Sequence, residues 1–159
     1  MSCQRVLPHA LPDGQVVESS THLHLDPLPR LVGEARAFVA EHAPPLPQDT
    51  HDALMLLTSE LVTNAVLHAR TPIEVGVTVT EDAVVVTVHD LDLSRPEQRP
   101  YEAREGGWGL GLVAALAEDS ALVPHTEGGK TAWFRLRRGA PREVGDDVAA
   151  REQDRTGEP

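Results

Sequence analysis

"DTHDALMLLTSELVTNAVLHA", residues 49–69, decides the fold. Its apolar residues recur at helical spacing: Leu54, Leu57, Leu61 and Ala65 form one stripe, and Met55, Leu56, Val62 and Val66 widen it. The spacing predicts one helix of about 30 Å, buried over much of its circumference. Pro72 closes it. Two β-branched runs follow, "IEVGVTVT" (73–80) and "AVVVTVHD" (83–90). The intervening Glu81-Asp82 predicts a tight hairpin.

Upstream, "LDPLPRLVGEARAFVAEHA" (25–43) predicts a shorter helix beginning near Pro29, with Leu31, Ala35, Phe38 and Val39 on its inner side. Prolines 44, 45 and 47 stop it. Residues 16–25 alternate partially and suit an edge strand. Downstream, "GGWGLGLVAALA" (106–117) places four glycines directly before and inside an apolar helix. "SALVPHTEGGKTAWFRLRR" (120–138) then predicts two strands about a Gly128-Gly129 turn. The expected organisation is a flexible arm over 1–15, one domain over 16–138 and a disordered tail over 139–159. Consecutive hairpins with segregated helices predict an α/β two-layer sandwich: a largely antiparallel mixed sheet with helices on one face.

Composition narrows the function. The 159 residues include 25 acidic and 14 basic side chains, a net charge of -11 with His neutral. That field repels phosphate backbones, so no direct nucleic-acid partner is expected. Cys3 is the single cysteine, which excludes a disulfide framework and a thiolate metal site. No apolar run approaches the roughly 18 residues a membrane span needs, and no signal peptide is evident. A cytoplasmic protein is expected.

Three features can carry chemistry. Glu60, Asn64 and His68 stand at i, i+4 and i+8, flanking the leucine stripe. Asn64 offers a carbonyl oxygen to a hard cation such as Mg²⁺, and Glu60 can hold or deprotonate a hydroxyl. The same row equally suits a solvated helix edge with local hydrogen bonds. Asp90 ends a strand, where it can accept from an exocyclic amine or simply serve a turn. Gly106, Gly107, Gly109 and Gly111 let the backbone approach phosphates at a helix N-terminus, or let that helix pack closely. "EGGKT" (127–131) lacks the earlier glycine and the following helix of a P-loop, so a P-loop is rejected; Thr131 can still reach a phosphate from its strand. The order also disfavours a dinucleotide fold, because a long loop, not a strand, precedes the glycines.

Taken together, "SELVTNAVLHA", "VVVTVHD", "GGWGLGLVAALA" and "GGKTAWFRL" resemble the GHKL (histidine-kinase-like) ATPase superfamily over roughly residues 20–138. They look most like its anti-sigma factor and serine-protein kinase regulators of actinobacterial type. The resemblance implies a Bergerat-type fold binding ATP and Mg²⁺. It implies that Asn64 coordinates the metal, Glu60 is the catalytic base and Asp90 takes the adenine amino group. Gly106, Gly107, Gly109, Leu110 and Gly111 then form the phosphate-side box, Thr131 lies near the adenine, and Arg104 steadies the γ-phosphate. It implies phosphoryl transfer to a serine of an anti-sigma factor antagonist, binding of a sigma factor, and a homodimer. The sequence departs from the family at Asp92 and Ser94, where glycines are usual. That departure leaves open a catalytically weak or inactive protein-binding module that sequesters its partner.

Overall fold

The valine-rich runs 73–80 and 83–90 build the centre of a five-stranded sheet. In the computed structural model, residues 11, 15–28, 30–69, 71–91, 108–126 and 128–139 are described. The strands are β1 (Val17–Leu25), β2 (Ile73–Thr80), β3 (Ala83–Asp90), β4 (Asp119–Pro124) and β5 (Lys130–Arg137). Their order is β1-β2-β3-β5-β4, and every pairing among them is antiparallel. β1 is an edge strand, as its partial alternation predicts. The helices are α1 (Leu31–His42), α2 (Gln48–Ala69) and α3 (Trp108–Leu116).

Period-two alternation divides the sheet into two faces. One carries Ile73, Val75, Val77, Val79, Val84, Val86, Val88, Phe134 and Leu136, which join the buried stripes of α1 and α2 in one core. Leu31, Ala35, Phe38 and Val39 are all buried, as the α1 spacing predicts. From α2, Leu54, Leu57, Leu61, Val62 and Ala65 are buried, while Leu56 is 41% exposed. The burial expected of Leu56 is therefore corrected: Leu54, Leu57 and Leu61 define the inner side, and the neighbouring position turns outward. Each fully buried Leu or Val stabilises by roughly 1.5–3 kcal/mol relative to exposure, which favours this register over any rotation of the helix.

The opposite face is polar. Its small apolar cluster is Val85 and Trp133, against which Leu11 and Val123 pack. Around it lie Arg135, bonded through Nε to Glu118 at 3.0 Å and through its terminal nitrogen to Asp82 at 3.1 Å, and Glu74, approached by His24 at 3.1 Å. Among the described residues, no helix is long and apolar enough to cross a membrane.

Candidate functional site

Asp90 continues the core-facing row Val84, Val86, Val88, so its carboxylate points to the helix side of the sheet. It is 2% exposed. Its cross-strand neighbours are Ile73 on β2 and Lys130 on β5. Lys130 continues the row Ala132, Phe134, Leu136, so two opposite charges end two apolar rows side by side. The Lys130 ammonium stands 2.9 Å from Asp90 Oδ2. The next residue, Leu91, donates its backbone N–H to Thr71 Oγ at 3.2 Å, which ties this corner to the segment between α2 and β2.

The turn before β5 sets this pairing. Gly128 and Gly129 have φ of 97° and 82°, a region L side chains rarely adopt. A Cβ on Gly129 would stand 2.3 Å from the backbone oxygen of Asp90. Only glycine lets the start of β5 lie this close to the end of β3.

α2 packs on β3, β5 and α3 from the same side. Glu60 and Asn64, one turn apart, are both half-buried beside the buried Leu57, Leu61 and Ala65. A hollow of about 290 Å³ lies between α2, α3 and the β4–β5 ribbon, lined by Leu61, Val113, Leu122, Ala132 and Trp133. Its wall shares Ala132 with the row ending in Lys130, and Leu61 adjoins Glu60. The volume is near the lower end of the roughly 300–1,000 Å³ usual for ligand pockets.

The remaining sequence candidates distribute as follows. Gly109 and Leu110 fall in the first turn of α3. Gly111 is exposed, and among the described residues nothing lies within 4 Å of where its Cβ would stand. Arg104, Gly106 and Gly107 lie outside the described residues, as do Asp92 and Ser94. Thr131 is not beside Asp90. It is fully buried on the opposite face, with Oγ 3.0 Å from His89 Nδ1 and 2.7 Å from His125 Nε2. One hydroxyl donates to one ring and accepts from the other, so it serves both. The two imidazoles meet edge to face at 5.1 Å.

Lys130 is the site residue that motif reading passes over. A readable signal existed. Alternation through "KTAWFRLR" puts Lys130 with Ala132, Phe134 and Leu136, as alternation through "AVVVTVHD" puts Asp90 with the inward valines.

Asn64 and Glu60 bring a half-buried carboxamide and a half-buried carboxylate, both oxygen donors, to one edge of α2. Among the described residues, no cluster of three or more His, Cys, Asp or Glu forms a complete metal cage. Oxygen donors fit a hard cation such as Mg²⁺ by their chemistry, since it takes few protein ligands and fills its shell with water and phosphate oxygens. The family model described as Histidine kinase-like ATPase domain matches residues 25–136, and the chain belongs to that ATP-binding family. Its fold is similar to the crystal structure of the RsbU and RsbW domains of Rv1364c from Mycobacterium tuberculosis, with a TM-score of 0.56 and 24% identity. The alignment covers 77% of this chain and 33% of that one, so the chain spans about a third of that structure. No curated protein matches the sequence.

Proposed function

We propose that the chain is an ATP-binding regulatory protein of the anti-sigma type, built on a Bergerat-type fold spanning residues 16–138 and acting in the cytoplasm. In this proposal Asp90 accepts the adenine amino group and Asn64 contributes a carbonyl oxygen to Mg²⁺. Gly106, Gly107, Gly109, Leu110 and Gly111 line the phosphates, and Arg104 neutralises the terminal phosphate. ATP with Mg²⁺ supplies the phosphoryl group and part of its charge neutralisation. Glu60 takes the proton from a serine hydroxyl of the partner as that oxygen bonds to the γ-phosphorus and ADP leaves. The partner is an anti-sigma factor antagonist, with a sigma factor as the alternative occupant of a homodimeric regulator. The observation that carries this is Asp90: a carboxylate 2% exposed, at the end of an apolar row, on the side of the sheet against which α2, the helix that carries Glu60 and Asn64, packs.

Calorimetric titration of ATP with Mg²⁺, and then with EDTA, tests it. Asn64→Ala is expected to abolish Mg²⁺-dependent affinity and to leave the circular dichroism spectrum unchanged. Unchanged affinity in that variant refutes the metal assignment.

The second reading is a protein-binding module with little or no phosphoryl transfer. It is favoured by Asp92 and Ser94, which stand where the resemblance expects glycines. Phosphorylation of a partner serine, lost in Glu60→Gln, separates the kinase from the module.

A further inference from the structure

Lys130 is the only lysine in the chain; the other thirteen basic side chains are arginines. Three of those arginines, Arg135, Arg137 and Arg138, follow on the same strand or directly after it. The one lysine stands 2.9 Å from the carboxylate to which base recognition is assigned. A guanidinium would lock that carboxylate in a planar fork, whereas an ammonium on a four-carbon stem is a point charge that exchanges partners readily. The two partners also differ in freedom. The Asp90 side chain is 3% exposed and fixed at a strand end, while that of Lys130 is 18% exposed and close to water. When the pair opens, the lysine is the partner that moves.

We infer that Lys130 is a built-in competitor for the base-recognising carboxylate, and that its ammonium must leave Asp90 Oδ2 before an adenine amino group takes that oxygen. This rests on the proposed placement of the adenine base at Asp90. The exchange is unfavourable for the carboxylate, because a charge-assisted hydrogen bond is about twice as strong as a neutral one. A buried carboxylate that trades a cation for a neutral donor loses part of its compensation. The protein therefore holds its own nucleotide affinity low, and removing a positive charge from an anion-binding site raises that affinity.

The test is calorimetric titration with adenosine and, separately, with Mg²⁺-ATP, using wild type, Lys130→Gln, Asp90→Asn and the double variant. Glutamine still donates to Asp90 but carries no charge. Lys130→Gln is expected to bind both ligands about tenfold more tightly than wild type. The gain for adenosine, which has no phosphates, locates the effect at the base. Asp90→Asn is expected to lose binding in both backgrounds. Weaker binding by Lys130→Gln, with Asp90→Asn still harmful, overturns the competitor role and leaves the site assignment standing. Affinity unchanged by Asp90→Asn in both backgrounds removes the site assignment itself.

A second measurement needs no variant. Acylation of the wild-type protein with an amine-reactive ester, read by mass spectrometry, reports on one internal amine. Saturating adenosine is expected to accelerate modification of Lys130 severalfold. Slower modification would show that the lysine stays against the ligand, and the competitor role falls.

Discussion

Gly129→Ala should separate the role of the hairpin from that of the residues it positions. Gly129 has φ of 82°, and a Cβ there would meet the Asp90 carbonyl oxygen at 2.3 Å. The left-handed conformation costs a non-glycine residue roughly 1–2 kcal/mol. The clash is with backbone, so no side-chain rotation relieves it. The start of β5 must withdraw from the end of β3, and each ladder hydrogen bond lost there costs about 1 kcal/mol. The expected loss is about 3 kcal/mol, a large part of the roughly 5–15 kcal/mol that stabilises a domain. Urea unfolding with linear extrapolation measures it. Gly139→Ala is the control, since among the described residues nothing lies within 4 Å of its Cβ position, and its change should stay within about 0.5 kcal/mol. A loss below about 1 kcal/mol for Gly129→Ala would refute the close approach that seats Lys130 opposite Asp90.

Two further substitutions probe the sheet faces and the glycine box. Thr131→Val removes the hydroxyl shared by His89 and His125 and should cost about 1–3 kcal/mol in thermal or urea unfolding. ATP affinity should change less than threefold, because Thr131 lies across the sheet from Asp90; a tenfold loss would show that it touches the base. Gly111→Ala should stabilise the fold by roughly 0.5–1 kcal/mol, because it replaces an exposed helical glycine with the best helix former. If Gly111 also admits phosphate, the same variant should bind ATP more weakly; a variant that is more stable and binds equally well would remove Gly111 from the site.

The elements legible in the sequence were those with long, unambiguous periods. Leu31, Ala35, Phe38 and Val39 on α1, and Leu54, Leu57 and Leu61 on α2, form stripes that only a helix buries together. Glu81-Asp82 and Gly128-Gly129 marked both turns because each stands between β-branched or alternating runs. Leu56 was not legible as exposed. An apolar residue beside a broad stripe carries no signal of its own, and its exposure is settled by where α2 meets the sheet. Thr58 faces inward, and among the described residues its Oγ has no hydrogen-bond partner, which no polarity pattern would foretell.

The placement of Thr131 turns on a single residue of parity. In "GGKT", motif comparison weights the threonine, since a hydroxyl near a nucleotide is a familiar arrangement. Strand geometry weights the lysine, because neighbouring side chains leave a strand on opposite faces. Phe134 and Leu136 are anchored in the core, so Lys130 must share their face and Thr131 must turn to the other. The same count applies to β3, where Asp90 follows Val84, Val86 and Val88 to the helix side and His89 turns away to meet Thr131. Two adjacent residue pairs thus divide between the two faces of one sheet. Asp90 with Lys130 lies on the helix side, and His89 with Thr131 locks the reverse side beneath it. A perturbation of the histidine–threonine contact can therefore move the ion pair only through the backbone of β3 and β5. For that reason Thr131→Val should register in stability before it registers in nucleotide affinity.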